Sequence, residues 1–139
     1  MADKLWVERN GDGTWQAHSS DNATIRIGKG EGMFNPGDLI KVALAACGGL
    51  SSEAAVKRLL GDGAKVRIDV SGDYDSDNDR YNSFSETVSL EGEDSKKPAD
   101  DAEAAKVADR VSRHIAKDCT IAHTFRQATP VDIRIDVKR

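Results

Sequence analysis

The chain has 139 residues, enough for one domain, and with 38% hydrophobic and only 5% aromatic residues its core must come mainly from Ala, Val, Ile and Leu. Lys and Arg number 20 against 24 Asp and Glu, a net charge of −4, which argues against nucleic acid or an anionic membrane as the main partner. No stretch is expected to approach the roughly 18 apolar residues of a membrane span, and "MADKLWVERNGDG" lacks a signal-peptide core, so a soluble cytoplasmic protein with two free or transiently paired thiols is expected.

The first strands are read from "KLWVER", "TWQAHSS" and "TIRIG", separated by the turn-forming "NGDG" and "DNA", a β-meander. "GKGEGM" is a glycine-rich connection without the G-x-x-x-x-G-K-[ST] pattern of a phosphate cradle. A long helix then starts with Asn35 as N-cap, Pro36 at the first helical position and Asp38 in capping-box spacing. Ile40, Ala43, Leu44, Cys47, Leu50 and Ala54 recur at helical spacing as its expected buried stripe, and "GDG" at 61–63 ends it. Gly48 and Gly49 each cost roughly 1 kcal/mol relative to Ala inside a helix, so this thin side predicts close packing against another helix or a sheet.

"AKVRIDVSGDY", with Val66, Ile68 and Val70 alternating, and "YNSFSETVSLEG" are predicted as a hairpin around the acidic turn "DSDNDR". "EDSKKPA" is a polar linker. Asp100 and Glu103 open a second helix that is expected to bury Ala104, Val107, Ala108, Val111 and Ile115. Cys119 follows in the polar "KDCTIAHTF", where its thiol is expected to be reachable, and "VDIRIDV" is predicted as a closing strand. The order βββ-α-ββ-α-β predicts an α+β domain over residues 1–139 with antiparallel sheets.

The chemistry lies in the two cysteines. On an apolar helical stripe Cys47 suits either packing or a shielded nucleophile, and a peroxide-reducing thiol commonly works beside a second cysteine that resolves it. Zinc is the rival: Cys119 and His123 have C-x3-H spacing, with Cys47 and His114 as further ligands, but no second close ligand pair exists. "DYDSDND" lacks the sixth-position Gly and twelfth-position Glu of a calcium loop, and no G-x-S-x-G context supports a serine hydrolase.

"FNPGDLIKVALAACGGLSS", followed by "HIAKDCTIAHTF" and the closing strand, resembles the OsmC/Ohr family of osmotically inducible and organic-hydroperoxide-resistance proteins. The resemblance runs from "LWVER" to "IRIDV" and is nearest to a small OsmC-like branch. It implies an intertwined homodimer in which sheets wrap central helices. It also implies that Cys47 is the peroxidatic thiol and Cys119 the resolving thiol.

A buried thiol ionises reluctantly, so a peroxidatic cysteine needs a stabilising cation. The resemblance implies an arginine from the meander, for which Arg9 is nearest by position and Arg26 is the alternative. Where Ohr enzymes carry a glutamate after "NP", this chain has Gly37. The neighbouring Asp38 is then a candidate acid as well as a helix cap. The expected activity is reduction of organic hydroperoxides, with a small dithiol or cellular thiol as reductant and no metal or organic cofactor. A non-catalytic OsmC-fold stress or small-ligand-binding protein is the alternative.

Overall fold

The computed structural model of the chain describes residues 2–138. Strands β1 (Leu5–Arg9), β2 (Trp15–Ser19) and β3 (Thr24–Ile27) form an antiparallel sheet in the order β1-β2-β3. Its register pairs Val7 with Ala17, Arg9 with Trp15 and Trp15 with Ile27. Leu5, Val7, Trp15, Ala17, Ile25 and Ile27 therefore share one face with Arg9, while Glu8, Gln16, His18, Thr24 and Arg26 share the other. The β1–β2 turn closes through the Asn10 N–H, which donates to the Thr14 carbonyl at 2.8 Å, and Gly13 supplies the positive φ of 86°.

Helix α1 (Pro36–Leu60) begins with the expected capping box: Asp38 N–H donates to Asn35 Oδ1 at 2.8 Å, and Asn35 N–H donates back to Asp38 Oδ2 at 3.2 Å. It ends where Gly61, with φ of 96°, turns its N–H back to the Lys57 carbonyl at 3.0 Å. The buried line differs from the expected stripe. Leu44, Ala45, Gly48, Ser52, Ala55, Val56 and Leu60 are buried, whereas Leu50 is 78% exposed and Ile40, Ala43 and Ala54 are also exposed. An i, i+4 line includes Gly48 and Ser52, which an apolar pattern search passes over. Ser52 is accommodated because its hydroxyl donates to the Gly48 carbonyl at 3.0 Å. By length and composition α1 is long and apolar enough to cross a membrane, contrary to the expectation that no stretch approaches that length.

Strands β4 (Lys65–Asp75) and β5 (Arg80–Glu91) pair as a second sheet. The Asp75 carboxylate accepts the N–H groups of Asp77 (3.0 Å) and Asn78 (3.2 Å), so the acidic stretch is a turn rather than a cation loop. Along β5 the partly buried positions are Tyr81, Phe84, Glu86, Val88 and Leu90. After a short 3-10 turn at Asp94–Lys96 comes α2 (Asp101–Asp118), where Glu103 N–H donates to Asp100 Oδ1 and the Glu103 carboxylate accepts the Ala99 N–H, both at 2.9 Å. Of its expected stripe Val111 is buried, Val107 and Ile115 are half-buried, and Ala104 and Ala108 stay exposed. A further short helix, α3 (Thr120–Phe125), was not expected; it follows Cys119 directly.

The chain divides into two compact units, neither a contiguous run. One combines the chain up to Ala43 with Val70–Ser85; the other combines Leu44–Asp69 with the chain from Glu86 onward. The closing strand is not formed. Residues 128–138 have no regular element, and Val131, Ile133, Ile135 and Val137 are 80–83% exposed. A strand exists only by pairing with a neighbour, and this alternating segment has none among the described residues.

Candidate active site: a pair of thiols

The unit built from Leu44–Asp69 and the chain after Glu86 brings Cys47 and Cys119 together as free, mutually hydrogen-bonded thiols. Cys47 projects from mid-α1, and Cys119 occupies the break between α2 and α3. That break is fixed by backbone bonds: the Cys119 N–H donates to the Ile115 carbonyl at 2.9 Å, and the Cys119 carbonyl accepts the His123 N–H at 3.1 Å. The exposures are the reverse of those expected. Cys47 is half-buried, whereas Cys119 is 0% exposed, because the break turns its side chain inward despite the polar residues around it.

The two thiols have different electrostatic surroundings. The Ile121 N–H is the leading influence that lowers the Cys47 thiol from its ordinary value; burial opposes it, and the Cys119 thiol, Ser51 hydroxyl and Thr120 N–H add to the lowering. Ser51 contributes less than its position suggests, since its hydroxyl proton goes to the Cys47 carbonyl at 2.6 Å. Cys119 is pushed up, first by burial, then by its hydrogen bond to Cys47 and the charges of Cys47 and Glu86; the Ala122 N–H works the other way. Cys47 is thus the thiol prepared to ionise, with backbone N–H groups as its principal donors. Alkylation followed against pH should show a lower midpoint for Cys47 than for Cys119. Peptide-resolved mass spectrometry checks this, and equal midpoints would refute the asymmetry.

Glu86, on β5, was not singled out from the sequence. Its Oε1 is buried and has no hydrogen-bond partner among the described residues. A Cβ added at Gly48 would lie 3.5 Å from that oxygen and 3.7 Å from Ile115 Cγ2, so the missing side chain leaves room where the carboxylate meets α1 and α2. A Cβ at Gly49 would make ordinary contact with Ile68 at 3.6 Å. Glu86 also borders a cavity of about 280 Å3 whose wall includes Val88, Val111, Ser112, Ile115 and Arg126. The available signal was alternation: Glu86 shares the inward phase of Phe84, Val88 and Leu90, where a charged residue is out of place.

The remaining candidates lie in the other unit. Arg26 is held by Asp12 and by Thr14 Oγ1 (3.3 Å). Arg9 ends β1 on the sheet's apolar face and makes no ion pair among the described residues. That unit contains a cavity of about 620 Å3 lined by residues including Val7, Trp15, Ile27, Met33 and Pro36. Asp38 is engaged in the α1 cap, and at Gly37 a Cβ would meet the Tyr81 hydroxyl at 2.6 Å, so Tyr81 fills the space beside the position where Ohr enzymes carry glutamate. His123 Nε2 bonds the Ala116 carbonyl at 2.8 Å, and among the described residues no three His, Cys, Asp or Glu side chains are grouped to hold a metal.

The chain is similar to known proteins over most of its length. Uncharacterized proteins of Mycobacterium tuberculosis and Mycobacterium bovis are 34% identical over 134 residues, covering 95% of this chain and 95% of theirs. An OsmC-like protein from Mycoplasma pneumoniae superposes with a TM-score of 0.65 at 17% identity, covering 90% of this chain and 87% of that one. The organic hydroperoxide resistance protein OhrB of Bacillus subtilis superposes with a TM-score of 0.54 at 18% identity, covering 90% and 92%. These likenesses establish the α+β fold of antiparallel sheets and central helices. The family model described as OsmC-like protein matches residues 28–134, a span that holds both thiols, and the chain belongs to that family.

Proposed function

We propose that the protein is a cysteine-based hydroperoxide reductase with Cys47 as the peroxidatic thiol and Cys119 as the resolving thiol. The observation that carries this reading is the unequal thiol pair: one sulfur bonded by N–H groups and half-open, the other fully buried against it. The Cys47 thiolate attacks the distal oxygen of an organic hydroperoxide. An S–O bond forms, the O–O bond breaks, and the alkoxide leaves as alcohol by taking up the proton released when Cys47 ionised. Cys119 then attacks the sulfenic sulfur; the S–S bond forms, the S–O bond breaks, and hydroxide leaves as water with the Cys119 proton. A small dithiol or cellular thiol supplies two electrons and two protons to restore both thiols.

One equivalent of an alkyl hydroperoxide should convert the reduced protein to an intrachain Cys47–Cys119 disulfide, read by peptide mapping. Both thiols remaining reduced would favour the alternative, a small-ligand-binding protein of the same family, for which the apolar cavity of about 620 Å3 is the specific support. The reading also takes the protein to be a cytoplasmic homodimer. Leu5 at 77% exposure and Val7 at 54% on the sheet's apolar face, together with the unpaired closing segment, leave apolar surface for a second copy to cover.

A further inference from the structure

We propose that the cavity of about 620 Å3 in the unit holding the meander binds an aliphatic monocarboxylate, with the hydrocarbon chain against Val7, Trp15, Ile27 and Met33 and the carboxylate on Lys29. The thiol reading uses neither the cavity nor Lys29, so this site is additional to it; the alternative reading shares the cavity, and here it gains a ligand class. The volume falls within the roughly 300–1,000 Å3 typical of small-molecule sites.

The walls come from two sources. Val7, Trp15 and Ile27 belong to the sheet's apolar face, Met33 to the glycine-rich connection "GKGEGM", and Pro36 to the start of α1. The connection folds back on itself: Gly28 N–H donates to the Phe34 carbonyl at 3.1 Å, and Met33 N–H donates to the Gly30 carbonyl at 3.2 Å. A Cβ at Gly28 would lie 3.0 Å from Met33 Sδ, and one at Gly30 would lie 2.6 Å from Met33 Cε. Glycine at these two positions therefore lets the thioether lie against the backbone at the cavity wall. An unbranched, polarisable side chain adapts to a flexible hydrocarbon, which favours an aliphatic body over a rigid aromatic one.

The polar groups of the wall decide the head group. The Asp12 carboxylate is ion-paired with Arg26 and accepts the Thr14 N–H at 3.0 Å and the Thr14 hydroxyl at 2.6 Å. Thr14 Oγ1 in turn accepts from Asn10 Nδ2 at 2.9 Å and from Arg26 Nε at 3.3 Å. Lys29 differs, because its ammonium makes no ion pair among the described residues. Arg9, directly opposite Trp15 on the same face of the sheet, makes none either. The acid at the cavity is neutralised and the cations are not. An apolar interior with uncompensated positive charge beside it complements a hydrocarbon chain bearing one anionic head and opposes a cationic one.

The test is the fluorescence of the full-length Trp6→Phe chain, in which Trp15 is the remaining indole. Trp6 stacks on His18 on the other face of the sheet, so its replacement leaves the cavity wall intact. Decanoate, decylamine and decanol are each added below the concentration at which they aggregate. Decanoate should change Trp15 emission saturably, and decylamine should bind at least about tenfold more weakly. Lys29→Gln should weaken decanoate about tenfold while leaving decanol within about twofold, and Lys29→Arg should keep decanoate within about threefold of the parent. Calorimetry on the unsubstituted chain should rank decanoate above decylamine in the same way. No saturable decanoate binding, as when a second copy of the chain fills the cavity, overturns the proposal. Equal binding of decanoate and decylamine, or a decanoate affinity unchanged in Lys29→Gln, overturns it as well. Neither peroxide nor reductant is present, so failure here is distinct from failure of the peroxidase reading.

Discussion

Cys47→Ser should lower hydroperoxide consumption by at least about a thousandfold, because serine supplies neither a thiolate near neutral pH nor a sulfur that can accept oxygen. Cys119→Ser should behave differently. The first equivalent of hydroperoxide should still be reduced at nearly the wild-type rate, since the attacking sulfur and its N–H donors are intact. Turnover should then fall, and Cys47 should accumulate as sulfenic acid and go on to sulfinic acid, because no second sulfur condenses with it. Stopped-flow peroxide consumption and intact-mass measurement separate the two variants. A Cys47→Ser protein that still turns over with dithiol, or a Cys119→Ser protein that cycles normally, would reject the assigned roles.

The second large effect concerns the closing segment. Val131, Ile133, Ile135 and Val137 alternate with Asp132, Arg134, Asp136 and Lys138, the pattern of a strand with one apolar face, yet all four apolar side chains are exposed. Full burial of such side chains is worth about 1.5–3 kcal/mol each. If a second copy covers the segment, the double substitution Ile133→Asp with Ile135→Asp should cost roughly 4 kcal/mol or more of association, about a thousandfold in dimer affinity. Light scattering should give a dimer for the wild-type protein at micromolar concentration and a monomer, or a protein of much lower Tm, for the variant. A wild-type chain that is a folded, cooperative monomer at that concentration would overturn this.

These cases show where sequence is informative. The meander, the two capping boxes and the end of α1 could be read directly, because caps and turns are local: Asn35 and Asp38, or Asp100 and Glu103, meet through a few bonds of backbone. The buried line of α1 could not, since Gly48 and Ser52 are inside only because Glu86, Ile115 and a backbone carbonyl receive them, and those partners lie far off or depend on helix geometry. Cys47 and Cys119 stood out as thiols, but their relative exposure depended on a helix break at Cys119 that no glycine or proline announces. "VDIRIDV" has the period of a strand, but among the described residues no neighbouring edge pairs with it.

Because Cys119 is wholly enclosed while Cys47 is half-buried, the exposed surface of the pair belongs to Cys47. In the proposed peroxidase cycle both partners would then use that residue in turn. On that reading the hydroperoxide would meet Cys47 as a thiolate and the reductant would meet the same atom as half of a disulfide, so the mixed disulfide would form at Cys47 with Cys119 as the leaving thiolate. Under sustained oxidant the enzyme would accumulate in its bridged form, where the thiol that overoxidation would destroy is already sequestered.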